Sequence, residues 1–99
     1  PAGHLALLRA EATRAELPLA FLQQAAVAIV QGQYGVQTWG PVPAPMARKA
    51  GLSRVHLLLK ADDRKALHAL LATLVPWLDE LPSARQVRWT LDVDPQELQ

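Results

Sequence analysis

The chain has 99 residues, of which 51% are hydrophobic and 19% are charged, a composition typical of a globular protein. The length fits a single domain over residues 1–99, and the absence of cysteine excludes disulfide bonds and thiolate metal sites. The net charge of +1 is too small to indicate a nucleic-acid partner by itself, and no apolar run approaches the ~20 residues of a membrane span.

The first predicted element is a strand at residues 4–10, a short run rich in leucine. Leu5 and Leu7 occupy alternate positions, so their side chains point to the same side of the strand. We expect that side to be buried against the helices.

The helix that follows has two possible starts. Thr13 and Glu16 have the spacing of a capping box, in which each side chain satisfies a free backbone N–H group. Pro18 would instead suit the first helical position, where its missing N–H costs nothing. In both cases the helix is predicted to end at Gly32, and its apolar residues repeat at helical spacing: Phe21, Leu22, Ala25, Ala26, Ile29 and Val30.

The middle of the chain is predicted to contain two strands joined by a proline-rich and basic segment. Residues 36–39 form a short strand, and the three alternate prolines of residues 40–45 favour an extended, polyproline-like path because they cannot donate ladder hydrogen bonds. Residues 46–52 then form a basic loop closed by Gly51. The third strand, residues 54–60, alternates cleanly. Its expected buried face is Val55, Leu57 and Leu59, and its expected exposed face is Arg54, His56, Leu58 and Lys60.

The last two elements are a second helix and a fourth strand. Asp62 or Asp63 caps the helix, and its leucines form one apolar stripe: Leu67, Leu70, Leu71, Leu74, Leu78 and Leu81. The fourth strand is expected to bury Val87, Trp89, Leu91 and Val93 and to expose Arg88, Thr90, Asp92 and Asp94.

The order strand, helix, strand, strand, helix, strand predicts an α+β fold. Two helices on one face of a four-stranded antiparallel sheet make a split βαβ, or ferredoxin-like, sandwich. Because this architecture hosts enzymes, RNA binders and ribosomal proteins alike, function must be argued from individual residues.

No group of residues predicts catalysis or a metal site. The spacing of His4, His56 and His68 matches no metal-ligand pattern. Asp92 and Asp94 lie two apart on one strand and could hold a hard cation or act as an acid–base pair, but a solvated strand end explains them more simply. There is also no phosphate-binding glycine-rich motif. We therefore expect neither catalysis nor a bound cofactor in this segment.

The candidate nucleic-acid-binding residues are a basic set in the middle of the chain. Residues 40–60 carry four basic residues and no acid, and His56 lies among them. Such a set can contact phosphates without reading sequence, although an ordinary solvated loop would look similar. Tyr34 and Trp39 are the aromatic residues expected to be free for stacking on bases. The set comprises Arg48, Lys49, Arg54, His56 and Lys60.

Arg64 and His68 form a second candidate site, for a protein partner. They lie four residues apart, so they share one face at the start of the second helix. The backbone N–H groups and partial positive charge of a helix N-terminus suit a carboxylate ligand. A solvated helix turn capped by Asp62 or Asp63 is the alternative.

Three segments, in this order along the chain, resemble the C-terminal domain of the PriA family of bacterial replication-restart helicases. They are residues 4–12, residues 40–46 and the stretch from Val87 to Pro95, and the similarity extends over nearly all 99 residues. The chain departs from the family pattern at Ala2 and Gly3, where a Pro-Phe pair is usual, and at His68, where glutamine is common.

This resemblance implies that the chain is part of a longer cytoplasmic, nucleoid-associated bacterial protein. The expected partners are branched or single-stranded DNA, primosome proteins, the helicase lobes of the same chain and the acidic C-terminal tail of single-stranded DNA-binding protein. Arg64 aligns with a basic residue that the family uses at the junction between this domain and the helicase lobes, and we expect it to contact that tail. The ATP site and the zinc-binding cysteines of the family would lie outside these residues. The alternative is a stand-alone ferredoxin-like module that binds RNA or another protein.

Overall fold

The computed structural model describes residues 3–32 and 35–94, so Tyr34, one of the two aromatics expected to stack, lies outside the described residues. The four described strands form one antiparallel sheet in the order β2-β3-β1-β4, and the predicted ferredoxin-like arrangement is confirmed. The elements are β1 (His4–Ala12), α1 (Glu16–Gly32), β2 (Val36–Lys49), β3 (Leu52–Ala61), α2 (Arg64–Glu80), a 3₁₀-helix (Pro82–Gln86) and β4 (Arg88–Val93).

Both helices pack on the same face of the sheet, and one hydrophobic core lies between the two layers. The two central strands, β1 and β3, supply most of the sheet side of this core. Among the described helices, none is long and apolar enough to cross a membrane. The fully buried members of the core include Ala6, Leu8, Phe21, Leu22, Ile29, Leu57, Leu59, Leu67, Leu70 and Leu78.

The prediction for the faces of β1 was wrong. Leu8, together with alanines at alternate positions, faces the helices, whereas Leu5 and Leu7 lie on the opposite, helix-free face. Leu7 is buried as expected, at 2% exposure, but not against the helices. The reason lies beyond residue 10, because β1 continues through Glu11. Burying Leu5 and Leu7 under the helices would also bury Arg9 and Glu11, at a cost of several kcal/mol for unpaired charges. The two charged residues therefore determine which face of β1 turns away from the helices, and the small alanines on the other face let the helices approach closely.

Each helix begins at a recognisable signal. α1 starts at Glu16, between the two predicted starts. Glu16 forms an ion pair with Arg14 at 2.9 Å (Oε1 to Nε) and makes no described capping box. Pro18 lies in the first turn, where the helix needs no N–H donor. α2 is capped by Asp63, whose side chain accepts a hydrogen bond of 2.8 Å from the backbone N–H of Lys65.

The proline-rich segment is not a separate extended stretch, as predicted, but part of the edge strand β2. An edge strand tolerates prolines because one row of its backbone groups needs no partner. β2 pairs with β3 through two register shifts, between Trp39 and Val42 and between Pro43 and Arg48. Residues 46–49, expected in a loop, also belong to this strand, and a two-residue turn follows. Ala50 and Gly51 both have positive φ angles, 53° and 80°, as a tight hairpin turn requires.

β4 agrees with the prediction in its centre and differs at its end. Trp89 and Leu91 pack against the core, and the Trp89 ring lies 5.8 Å from that of Phe21. Val93, the last residue of the edge strand β4, is exposed instead of buried.

Candidate nucleic-acid interface

The helix-free side of the sheet, called the open face below, collects most of the charged residues of the strands. Register places the side chains in rows that cross β3, β1 and β4. One row contains Arg54, Glu11 and Arg88, and the next contains His56, Arg9 and Thr90. Further along are Leu58, Leu7 and Asp92, followed by Lys60 and Leu5. These rows hold four basic and two acidic residues, so the open face carries a positive excess.

At one end of the open face, a single carboxylate lies between two arginines. Glu11 is 3.9 Å from Arg54 (Oε2 to Nε) and 3.9 Å from Arg88 (Oε1 to Nη1). Arg54 also donates a hydrogen bond of 3.1 Å to the carbonyl oxygen of Met46, and only 16% of its side chain is exposed, against 81% for Arg88. Since one acid offsets two cations, this end can attract an anion. A cavity of about 220 Å³ lies here, lined by Arg9, Glu11, Arg54, Arg88 and Thr90 among others.

Arg9 connects this basic end to β4. Its Nη1 lies 3.4 Å from Oδ2 of Asp92, which gives that aspartate a structural role on the open face. A partly exposed pair of this kind contributes at most about 1 kcal/mol to stability. Among the described residues, no cluster of histidine and acidic side chains suited to a metal ion occurs.

His56 lies near the middle of the open face but is only 6% exposed, contrary to the expectation of an exposed side chain. Its Nε2 is buried without a hydrogen-bond partner among the described residues. Burial lowers the pKa of His56, and the charges of Arg9 and Arg54 lower it further. The imidazole is therefore neutral near pH 7, and it does not provide the positive charge that a phosphate contact would use.

Beside His56, β2 forms the wall of an apolar cleft. One extra residue between Trp39 and Val42, relative to their partners Leu58 and His56, is a β-bulge. Because of it, residues three apart in sequence both lie on the open face. The cleft has a volume of about 350 Å³. Its lining consists of Leu7, Trp39, Gly40, Val42, Pro43, Pro45, His56 and Leu58.

Trp39 is the exposed aromatic of this cleft. Its side of the sheet has no helix above it, and the residue is 53% exposed. The Nζ of Lys60 lies 5.7 Å from the centroid of the Trp39 ring, within the range of a cation–π contact. The positive charge of Lys60 thus lies over one face of the aromatic ring.

The remaining predicted nucleic-acid residues lie at the β2–β3 hairpin. Arg48 donates to the carbonyl oxygen of Thr13 at 3.1 Å and to the hydroxyl of Ser53, so its guanidinium helps to hold the hairpin against the end of β1. Lys49 is exposed and pairs in register with Leu52. The structure therefore places Arg54, His56 and Lys60 on the open face and Lys49 at its edge, whereas Arg48 lies on the helix side, in register with Ser53 and Ala12.

Arg64 and His68 lie at the opposite end of β3 from the hairpin residues Arg48 and Lys49, and at the same end as Lys60. Both are exposed on the first turns of α2, which starts after the end of β3 opposite the hairpin. At about 3.3 Å per strand residue, the ten residues of β3 separate the α2 start from the hairpin by roughly 30 Å. The start of α2 is therefore a different surface from the hairpin, whereas Lys60 lies at the same end of β3 as Arg64.

Sequence reasoning left three side chains of the open face out of the candidate set: Arg9, Arg88 and Glu11. The alternation within β1 and β4 carried the relevant signal, because it places all three on one side of their strands. The pattern of one strand cannot show that β1 lies between β3 and β4. That strand order is what brings Arg9, Arg88 and Glu11 onto the same face as Arg54.

The fold and the sequence both have known relatives. A designed protein, Foldit4, matches with a TM-score of 0.68 at 10% identity, over 96% of this chain and 99% of its own. The crystal structure of a dimeric ferredoxin-like protein from an uncultured marine organism matches with a TM-score of 0.61 at 16% identity, over 94% of each chain. At these identities the likeness shows the fold alone.

Sequence comparison identifies the family as well as the fold. Replication restart protein PriA of Haemophilus influenzae is 40% identical over 94 residues, which are 94% of this chain and 13% of that protein. The family model described as the primosomal protein N C-terminal domain matches residues 1–96. The predicted resemblance is confirmed, and so is the expectation of an accessory, non-catalytic module. The chain belongs to the primosomal protein N (PriA) C-terminal domain family.

Proposed function

We propose that this domain is the DNA- and partner-binding module of a PriA-like replication-restart protein, and that its open face helps to hold single-stranded or branched DNA. The observation that carries the proposal is the positive excess on a sheet face without covering helices. In this proposal, ATP-driven unwinding and zinc binding belong to other parts of the longer protein.

The arrangement of the cations favours binding to the phosphate backbone without sequence preference. Lys60 and Arg54 lie six residues apart on β3, a distance of about 20 Å at the usual strand rise. Arg88 lies beyond Glu11 on β4, and Lys49 extends the set towards the hairpin. Cations spread over this distance match a repeating chain of phosphates better than a single charged group. Phosphate contacts of this kind give affinity that falls steeply with salt.

The test is a triple substitution of exposed cations, Lys49→Ala, Lys60→Ala and Arg88→Ala. Arg48 and Arg54 are left intact because their hydrogen bonds to Thr13 and Met46 support the fold. Fluorescence anisotropy with single-stranded and forked DNA should show weaker binding to all sequences alike. The slope of log affinity against log salt should flatten by about 2, or ~0.7 for each lost phosphate contact.

A matched control removes a positive charge elsewhere. Arg14 is exposed and pairs with Glu16 at the start of α1, so Arg14→Ala should leave DNA affinity within error of the unsubstituted domain. If the triple variant binds as tightly as the Arg14→Ala variant, the open face is not the DNA-binding surface.

We propose a second role for the start of α2, binding of the acidic tail of single-stranded DNA-binding protein through Arg64. The specific observation is that Arg64 is exposed at the first helical position, while the side chain of Asp63 is engaged in capping the backbone of Lys65. An arginine can hold a carboxylate with two parallel hydrogen bonds. His68 follows one turn along and would support the contact.

This second role is tested in the full-length protein, because the other domains would supply part of the pocket. Arg64→Ala should weaken binding of the tail peptide by ~1.5–3 kcal/mol, the usual contribution of a charge-assisted hydrogen bond. Arg64→Lys should recover only part of this, since an ammonium cannot make the bidentate contact. The control is Arg85→Ala, an exposed arginine of the 3₁₀-helix; equal effects at positions 64 and 85 would rule out a specific site.

A further inference from the structure

We propose that the apolar cleft beside Trp39 seats one unpaired base of single-stranded DNA, stacked on the Trp39 ring, with the adjoining phosphate at Lys60. This inference rests on the proposed DNA-binding function and deepens it. It assigns the open face a preference for unpaired over paired DNA.

The first support is the placement of Trp39. A tryptophan at the surface of a sheet usually packs most of its ring against neighbours, whereas Trp39 leaves about half of its surface in water at 53% exposure. The bulge in β2 turns Trp39 and Val42 to the same side, which builds two walls of one cleft. Stacking on such a ring suits any base, because every base has a flat π face.

The second support is the close approach of β2 to β3 at Gly40. A Cβ atom at this position would lie 2.9 Å from the carbonyl oxygen of His56, so only glycine lets the two backbones come this near. The resulting cleft measures about 350 Å³, at the lower end of the ~300–1,000 Å³ usual for small-ligand pockets. That size suits a single nucleotide unit and not a folded protein segment.

The third support is the unpaired nitrogen of His56. Its imidazole lines the cleft, and Nε2 is buried without a partner among the described residues. A buried polar atom left without a hydrogen bond is unfavourable. Because Nε2 is closed to water, a base in the cleft would form this bond only after the imidazole turns towards the cleft, and its donors and acceptors would then suit either tautomer of the neutral ring.

Charge complementarity decides which occupant the cleft fits. Lys60 lies at the Trp39 end, and Arg54 and Arg88 lie at the far end of the same face. A peptide with one aromatic side chain and one carboxylate would use only the first of these cations. A DNA strand that places a base on Trp39 also brings further phosphates along the face to the others.

The experiment measures binding of a fluorescein-labelled oligothymidylate of about 12 nucleotides, within the ~4–16 that a small single-strand-binding domain covers. Trp39→Ala should weaken this binding about 5- to 150-fold, the change that ~1–3 kcal/mol per stacked base produces. Trp39→Phe keeps a ring and should recover most of the affinity. Circular dichroism confirms that each variant is folded.

Two comparisons make the result specific to base stacking. Trp77→Ala removes an exposed tryptophan of α2, on the helix layer, and should leave affinity unchanged. An abasic strand of equal length keeps the phosphates but offers no base. Trp39→Ala should therefore bind the abasic strand and a blunt duplex as the unsubstituted protein does.

The outcomes separate this inference from the function on which it rests. If the unsubstituted protein binds the oligothymidylate and Trp39→Ala binds it equally well, the base site is refuted while the phosphate-binding face stands. If no DNA binds at all, both fail. If Trp39→Ala loses binding of an acidic peptide ending in phenylalanine but keeps DNA binding, the cleft is a peptide site and the inference is overturned.

Discussion

Gly40 offers the sharpest test of the structure around the cleft, through the substitution Gly40→Ala. Its φ angle is 112°, a backbone conformation that residues with a side chain rarely adopt. The added Cβ would lie 2.9 Å from the carbonyl oxygen of His56 and 3.0 Å from the backbone nitrogen of Val42. Because both neighbours are backbone atoms of paired strands, neither can move aside by rotating a side chain.

The expected loss of unfolding free energy has two parts. Holding a residue other than glycine at this φ costs ~1–3 kcal/mol, and forcing an atom into a filled site typically costs a further ~1–3 kcal/mol. Together they predict a loss of about 2–6 kcal/mol. That is a large fraction of the ~5–15 kcal/mol by which a domain is usually stable.

Gly51→Ala is the matched control, because Gly51 also has a positive φ, 80°, but has no heavy atom within 4 Å of its would-be Cβ. It should therefore lose only the backbone part, ~1–2 kcal/mol. The gain from restricting the unfolded chain is the same in both variants and cancels. Thermal unfolding followed by circular dichroism should place Gly40→Ala at least ~4–8 °C below the control, the shift for each kcal/mol in a domain of this size.

Equal melting temperatures for these two variants would refute the reasoning. They would mean that β2 does not approach β3 closely at Gly40. The cleft beside Trp39 would then lack the wall on which its proposed base site depends.

Two further predictions concern β1 and His56. Leu8→Ala should lower the free energy of unfolding in urea by ~2–5 kcal/mol, because Leu8 is fully buried under the helices. Leu5→Ala should lower it clearly less, because Leu5 is half-buried on the open face. The reverse order would restore the original assignment of the strand faces. The pKa of His56 is lowered in the folded domain, whereas the unfolded chain keeps a value of ~6.5. The neutral imidazole therefore contributes fully to stability above pH ~6.5. This contribution is lost as the pH falls from ~6.5 towards the lowered pKa of the folded domain. His56→Gln should therefore flatten the decline in unfolding free energy between about pH 7 and pH 5.5, and an unchanged decline would show that His56 is not buried in neutral form.

The fold could be predicted because its signals are local and agree with one another. The leucines of α2 form one apolar stripe, Asp63 supplies a cap, and β3 alternates without interruption, as Val55, Leu57 and Leu59 in the core show. Each of these patterns depends only on the period of its own element, and such periods are legible in a single sequence.

The predictions from sequence were wrong where the conformation of one strand depends on a neighbouring strand. For β1, the choice between two apolar faces depended on Arg9 and Glu11, whose partners Asp92, Arg54 and Arg88 come from neighbouring strands. For β2, prolines typical of a free extended segment are tolerated because the strand lies at the sheet edge. Edge position and strand order are properties of the assembled sheet, so no window of this sequence contains them.

The same limit explains why the candidate site was only partly predicted. Arg54, His56 and Lys60 follow from the alternation of β3 alone, and the structure places them on one face as expected. Trp39 was noted as exposed, but its position beside Lys60 depends on the pairing of β2 with β3 and on a bulge. A bulge reverses the alternation beyond it, and Gly40, which permits the bulge, was equally compatible with a free extended segment next to Pro41.

The register of β3 determines which of its residues lie in the core and which lie on the open face, and so it also holds the surface residues in position. The strand gives Val55, Leu57 and Leu59 to the core and Arg54, His56 and Lys60 to the opposite side. A slip of one residue would exchange the two sets and place cations under the helices, which is far costlier than the loss of any surface contact. The core therefore holds the cations in position even where their own ion pairs are long, such as the 3.9 Å between Arg54 and Glu11. In the proposed function, the donors of Lys60 and Arg54 that make no contact within the domain would be available to the phosphates of a DNA strand.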